Sequence, residues 1–63
     1  NKPIIKKQSL ISWSVEVDGK VIAWINKLDL GYDVRFLRAF FGSDSRYFQR
    51  DFKSAKSFAL EHL

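Results

Sequence analysis

A chain of 63 residues holds one domain, close to the size below which a hydrophobic core no longer sustains folding unaided. Its hydrophobic fraction of 46% and ten aromatic residues exclude a disordered polymer, and the absence of cysteine excludes a disulfide framework or a thiolate metal centre. A net charge of +4 makes polyanions the favoured class of partner without naming one. No apolar run approaches the roughly 20 residues of a membrane span, and the first residues lack the apolar core of a secretory leader. We therefore expect a cytoplasmic protein with no membrane association.

Residues 1–8 carry Lys2, Lys6 and Lys7 around Pro3 and read as a basic, flexible arm, leaving 9–63 as a single small α+β domain. From Leu10 to Val17 apolar and polar residues alternate. Ile11, Trp13, Val15 and Val17 fall on one side, with Ser12, Ser14 and Glu16 on the other, as in a half-buried strand. Asp18-Gly19 is a strong hairpin signal, because a two-residue type I′ turn needs positive φ at both central positions. Val21 to Lys27 is then the return strand. An unbroken ladder from this turn pairs Val17 with Lys20, Val15 with Ile22, Trp13 with Trp24 and Ile11 with Asn26, which places both tryptophans on one core face.

Gly31 and two aspartates mark 28–33 as a turn or loop. Beyond it two architectures fit. In the favoured one, an antiparallel meander of three to four strands continues with strands at Val34 to Phe41 and Arg46 to Phe52, joined by a turn at Gly42-Ser43-Asp44-Ser45. Ser54 then caps a closing helix that reaches Leu63. In the alternative, the hairpin is followed by two helices, one capped by Asp33 and stopping at Gly42, the other running from Ser45 to Leu63 in a helix-turn-helix-like arrangement. Both end in an amphipathic helix with Ala55, Phe58, Ala59, His62 and Leu63 on its apolar stripe.

Enzyme chemistry finds no footing. His62 is the only histidine, no cysteine is present, the carboxylates sit beside turns and caps, and the three glycines are too dispersed to cradle a phosphate. No cofactor is implied. The segment from Arg35 to Lys56 is different, with six cations and six large aromatics in 22 residues. Cations neutralise phosphates and aromatic faces stack on bases. The candidate nucleic-acid contacts are Lys27, Arg35, Arg38, Arg46, Tyr47, Gln49, Arg50 and Lys53. In the strand reading, one face presents Arg38, Phe40, Tyr47 and Gln49, and the other Arg35, Leu37, Phe41, Phe48, Arg50 and Phe52. In the helix reading, Arg46, Gln49, Arg50 and Lys53 share one polar face suited to a major groove.

The run from Arg46 to Ala59, in which a strand ends in Phe52 and a small polar residue precedes an alanine-centred stripe, resembles the end of the arm-type DNA-binding domains of phage integrases. That resemblance covers the C-terminal third of the chain. It implies a small sheet backed by a helix, with contacts to DNA from Arg35, Arg38, Arg46, Tyr47 and Arg50. The expected function is thus a non-enzymatic DNA- or RNA-binding regulatory module. The alternative is a protein-interaction module, an inhibitor or adaptor for an acidic partner or a homodimer, because aromatics and arginine also dominate protein interfaces.

Overall fold

A computed structural model describes residues 2–38, 42 and 45–62. Five antiparallel strands lie in chain order across one sheet, β1 (Ile4–Lys7), β2 (Ser12–Val17), β3 (Lys20–Lys27), β4 (Tyr32–Phe36) and β5 (Ser45–Gln49). A helix, α1 (Phe52–Glu61), closes the described chain and packs on β3, β4 and β5. The α+β meander with a C-terminal helix is thus as expected, with one strand more than the sequence announces. The two-helix alternative is overturned, since residues 32–36 and 45–49 are hydrogen-bonded strands.

The additional strand is β1. Ile4–Lys7, expected within a flexible arm, pairs with β2 through Ile5 opposite Val15 and Lys7 opposite Trp13. The two isoleucines favour a strand, but four residues are too few to show its alternation, and pairing with β2 orders them. Ile5 packs against the core, and Lys6 Nζ lies 3.4 Å from a carboxylate oxygen of Glu16.

The β2–β3 turn is the one anticipated, with Asp18 at φ 53° and Gly19 at φ 79°. The ladder beyond it is not. Val17 pairs with Lys20 and Glu16 with Val21, but a register shift then sets Val15 opposite Ala23, Ser14 opposite Trp24 and Trp13 opposite Ile25. A one-residue slip exchanges the faces of every residue that follows. Here it carries Ala23 and Ile25 under the helix, where both are fully buried, and turns Trp24 to the opposite face. An unbroken ladder would have set those two residues against the serines of β2. The bulge therefore unites the apolar halves of both strands, and the expectation that Trp13 and Trp24 face each other in one core is corrected. Ile11, expected opposite Asn26, lies in the β1–β2 connection, where its carbonyl accepts the Lys27 amide at 2.7 Å.

The strands in the second half are shorter than expected. β4 starts at Tyr32 and ends at Phe36, and β5 starts at Ser45, a residue assigned to the turn by sequence. The Arg38 carbonyl accepts the Gly42 amide at 2.9 Å in the connection between them. Phe40, Phe41, Ser43, Asp44 and Leu63 lie outside the described residues.

The core is Val15, Ile22, Ala23, Ile25, Val34 and Phe36 of the sheet against Ala55 and Ala59 of the helix. The two alanines let the helix approach closely, and aromatic clusters fill the space to either side. Trp13, Tyr32 and Phe52 form one, with Trp13 and Phe52 centroids 4.6 Å apart. Phe36, Tyr47, Phe58 and His62 form the other, with Tyr47 and Phe58 4.9 Å apart. Such ring pairs contribute about 0.5–1.5 kcal/mol beyond the area they bury.

Helix α1 is capped one turn earlier than expected. Asp51, not Ser54, is the N-cap, and its Oδ1 accepts the Ser54 amide at 2.8 Å. Ser54 occupies the third helical position and supplies the donor. Hydrogen bonds from Ser54, aided by the charges of Arg50 and Lys53, hold the Asp51 carboxyl below its ordinary range. A carboxyl whose pKa is lower in the folded than in the unfolded chain stabilises fully above the unfolded value, near 4, and loses that contribution as pH falls through the folded one. Thermal unfolding from pH 2 to 6 should therefore show Asp51→Ala reducing stability above about pH 4, with the gap to wild type closing in acid. Asp51→Asn should keep most of the cap and lose that share of the pH dependence.

Candidate nucleic-acid interface

Strand parity and register assign the paired side chains of the sheet to a face. Trp13, Val15, Ala23, Ile25, Tyr32, Val34, Phe36 and Tyr47 belong to the face under α1. The opposite face carries Lys6, Ser14, Trp24, Arg35 and Arg46 in one cross-strand row, with Ser12, Asn26, Asp33 and Phe48 in the next.

The β1–β2 side of this second face is saturated by its own hydrogen bonds. Gln8 Nε2 donates to Ser14 Oγ at 2.9 Å, Ser14 Oγ donates to Glu16 Oε2 at 3.3 Å, and Glu16 meets Lys6. Ser14 is fully buried as a result. The β3–β5 side is where the row turns cationic. Arg35 stands directly opposite Arg46 across β4–β5 and directly opposite Trp24 across β3–β4. Trp24 and Arg35 are half-buried, with the Arg35 Nε enclosed, while Arg46 is exposed. Directly opposed like charges weaken a sheet, and an anion above them reverses the sign of that interaction.

Beside this row lies Phe48, a large apolar side chain left 58% exposed on a sheet face. Its position is fixed from below. The ring covers buried Gly31 so closely that a Cβ there would stand 2.5 Å from Phe48 Cζ and 2.5 Å from the Gln49 carbonyl oxygen. Phe48, Trp24, Arg35 and Arg46 thus form one aromatic and cationic platform that the helix leaves uncovered.

No family model, curated protein or solved structure matches this chain. The arrangement of its own side chains is what bears on function.

Of the eight residues proposed from sequence, the platform gathers Arg35 and Arg46. Tyr47, Lys27 and Gln49 belong to the opposite face. Tyr47 packs on Phe58 beside α1, Lys27 Nζ lies 5.9 Å from the Tyr32 ring centroid, and Gln49 stands opposite Tyr32. Arg38 is exposed beyond the end of β4, and Arg50 and Lys53 are exposed on either side of the Asp51 cap. The strand reading's separation of Arg35 and Phe48 from Tyr47 and Gln49 agrees with the observed faces. Trp24 was missed as a site residue because only the bulge turns it there.

Among the described residues no group of three or more His, Asp or Glu side chains could hold a metal ion. A cavity of about 190 Å³ lined by Phe36, Ser45, Tyr47 and His62 falls below the roughly 300 Å³ from which small-molecule sites begin. No helix of the described residues is long and apolar enough to cross a membrane.

A second exposed feature lies at one end of the sheet. The β1–β2 and β3–β4 connections come together there through the bond from the Lys27 amide to the Ile11 carbonyl. Leu10 and Leu30 are 83% and 88% exposed on them, accompanied by Ile11 and Leu28. Both connections are braced by backbone bonds, Gln8 to Ser12 and Leu28 to Gly31.

Proposed function

We propose that this chain is a non-enzymatic nucleic-acid-binding module that uses the helix-free face of its sheet. The observation that carries the reading is the cross-strand alignment of Trp24, Arg35 and Arg46 beside exposed Phe48. The exposed Arg46 guanidinium offers forked donors to phosphate, half-buried Arg35 opposite it adds positive charge, and the rings offer surfaces on which bases stack. A regulatory role fits a small domain whose exposed features form a binding face. The resemblance of its C-terminal third to integrase arm-type domains supports a sheet, rather than a helix, as the reading element. Of the contacts which that resemblance implies, Arg35 and Arg46 belong to the platform, whereas Tyr47 belongs to the other face.

The test is fluorescence anisotropy with random single- and double-stranded oligonucleotides at about 50 and 200 mM salt. Three phosphate contacts, from Arg35, Arg46 and one flanking cation such as Arg50, predict an affinity loss of about 40-fold over that range for duplex DNA. Preference for single strands would assign the larger share to stacking on Phe48 and Trp24. Absence of binding at either salt, or binding indifferent to salt, would overturn the reading.

A protein partner is the second reading, favoured by one observation, the exposed Leu10, Ile11, Leu28 and Leu30 on adjoining braced loops. Aliphatic tips of this kind suit an apolar pocket on another protein, and such docking changes little with ionic strength. The salt titration separates the two.

A further inference from the structure

The two edges of the sheet are built differently. β1 is four residues long, follows Pro3, and carries Lys6 and Lys7 among those four. A short strand with lysines and an adjacent proline resists pairing with another strand. β5, one residue longer, is less protected. It contains one cation and no proline, and Arg46, Tyr47 and Phe48 are consecutively exposed along it. Strand order leaves its outer side unpaired by any described strand.

We infer that β5 is an interface with a second copy of this chain, two β5 strands pairing antiparallel about a two-fold axis at Tyr47 to make one ten-stranded sheet. The register follows from the sequence Ser45-Arg46-Tyr47-Phe48-Gln49. Centred on Tyr47, the pairing sets Arg46 beside Phe48 of the second copy, Tyr47 beside Tyr47, and Ser45 beside Gln49. These are a cation against a ring, an aromatic pair and a hydrogen-bonding pair. Moving the axis to Arg46 sets arginine against arginine, and moving it to Phe48 sets Arg46 against Arg50. Charge repulsion disfavours both neighbours, so one register stands out.

The helices leave room for this assembly. Helix α1 packs mainly over β4, and the two β4 strands would stand three strand spacings apart, roughly 14 Å. Helices in contact need only about 8–10 Å between axes. The inference stands independently of the nucleic-acid reading. Were both to hold, the joined sheet would set two Arg35–Arg46 rows side by side on one continuous face.

Sedimentation equilibrium of the wild-type chain tests it directly. The mass should rise from 7.4 kDa toward twice that value as concentration reaches about 1 mM, the range of small interfaces. Single cysteines then read the register, because the chain has none of its own. Opposed residues of antiparallel strands have Cα atoms about 4.5–5.5 Å apart, within disulfide range, whereas two Gln49 residues would lie about 14 Å apart. Tyr47→Cys should form disulfide dimers at least about 10-fold faster than Gln49→Cys at equal concentration. Since Tyr47 packs against Phe58, a second measurement spares it. An equimolar mixture of Ser45→Cys and Gln49→Cys chains should give the mixed disulfide in preference to either homodisulfide. A wild-type mass that stays monomeric at 1 mM, or equal oxidation rates at all three positions, overturns the inference.

Discussion

Gly31→Ala should destabilise the domain by about 1–3 kcal/mol, a large share of the roughly 3–5 kcal/mol that a core of this size supplies. The cause is space, since Gly31, just before β4, lies tightly against the end of β5. A methyl group there would overlap both the ring of Phe48 and the carbonyl oxygen of Gln49. The ring can swing away on its own side-chain torsions. The carbonyl cannot, because Gln49 is held opposite Tyr32 in the β4–β5 ladder. Urea unfolding of Gly31→Ala, Phe48→Ala and the double variant separates the two obstacles. The double variant should remain at least as unstable as Gly31→Ala. Recovery of stability in the double variant would show that the ring alone was the obstruction and that the strands can part without cost.

That close approach also explains what could be read in the chain and what could not. The Asp18-Gly19 turn is a local matter of two positive φ angles and was legible. So was α1, from the spacing of Ala55 and Ala59. The bulge after the turn was not, because nothing in its own residues demands it. It arises where Val15, Ala23 and Ile25 must share the helix side, a requirement set by the packed whole. β1 escaped for a related reason, since Ile4–Lys7 is too short to show a strand period and it pairs with β2, which lies later in the chain. The cap was misplaced by one turn because Asp51 and Ser54 are both good cap residues. Geometry chooses the aspartate, whose acceptor meets the Ser54 amide. On the candidate face, the partition of Arg35 and Phe48 from Tyr47 and Gln49 required only strand parity. Trp24 joined it only through the shifted register, so the platform was half visible.

Because the platform occupies one face, substitutions on its two sides should separate cleanly. Arg46→Ala should weaken nucleic-acid binding at every sequence and reduce the slope of log affinity against log salt by about 1, the signature of one lost phosphate contact. Arg46 is exposed and its removal relieves the like charge opposite Arg35, so the fold should be no less stable. Phe48→Ala should act differently. Loss of a stacking ring costs about 1–3 kcal/mol per base, or roughly 5- to 150-fold in affinity, with the salt slope unchanged. Lys27→Ala and Gln49→Ala, altered on the face beside the helix, should leave both quantities near wild type. Anisotropy titrations at several salt concentrations give affinity and slope together, with circular dichroism to confirm that each variant is folded. Equal losses from both faces would mean that charge alone, without a defined surface, holds the nucleic acid. Losses confined to Lys27 and Gln49 would move the contact to the helix side, where Tyr47 lies and where the opposed arginines of β4 and β5 could take no part.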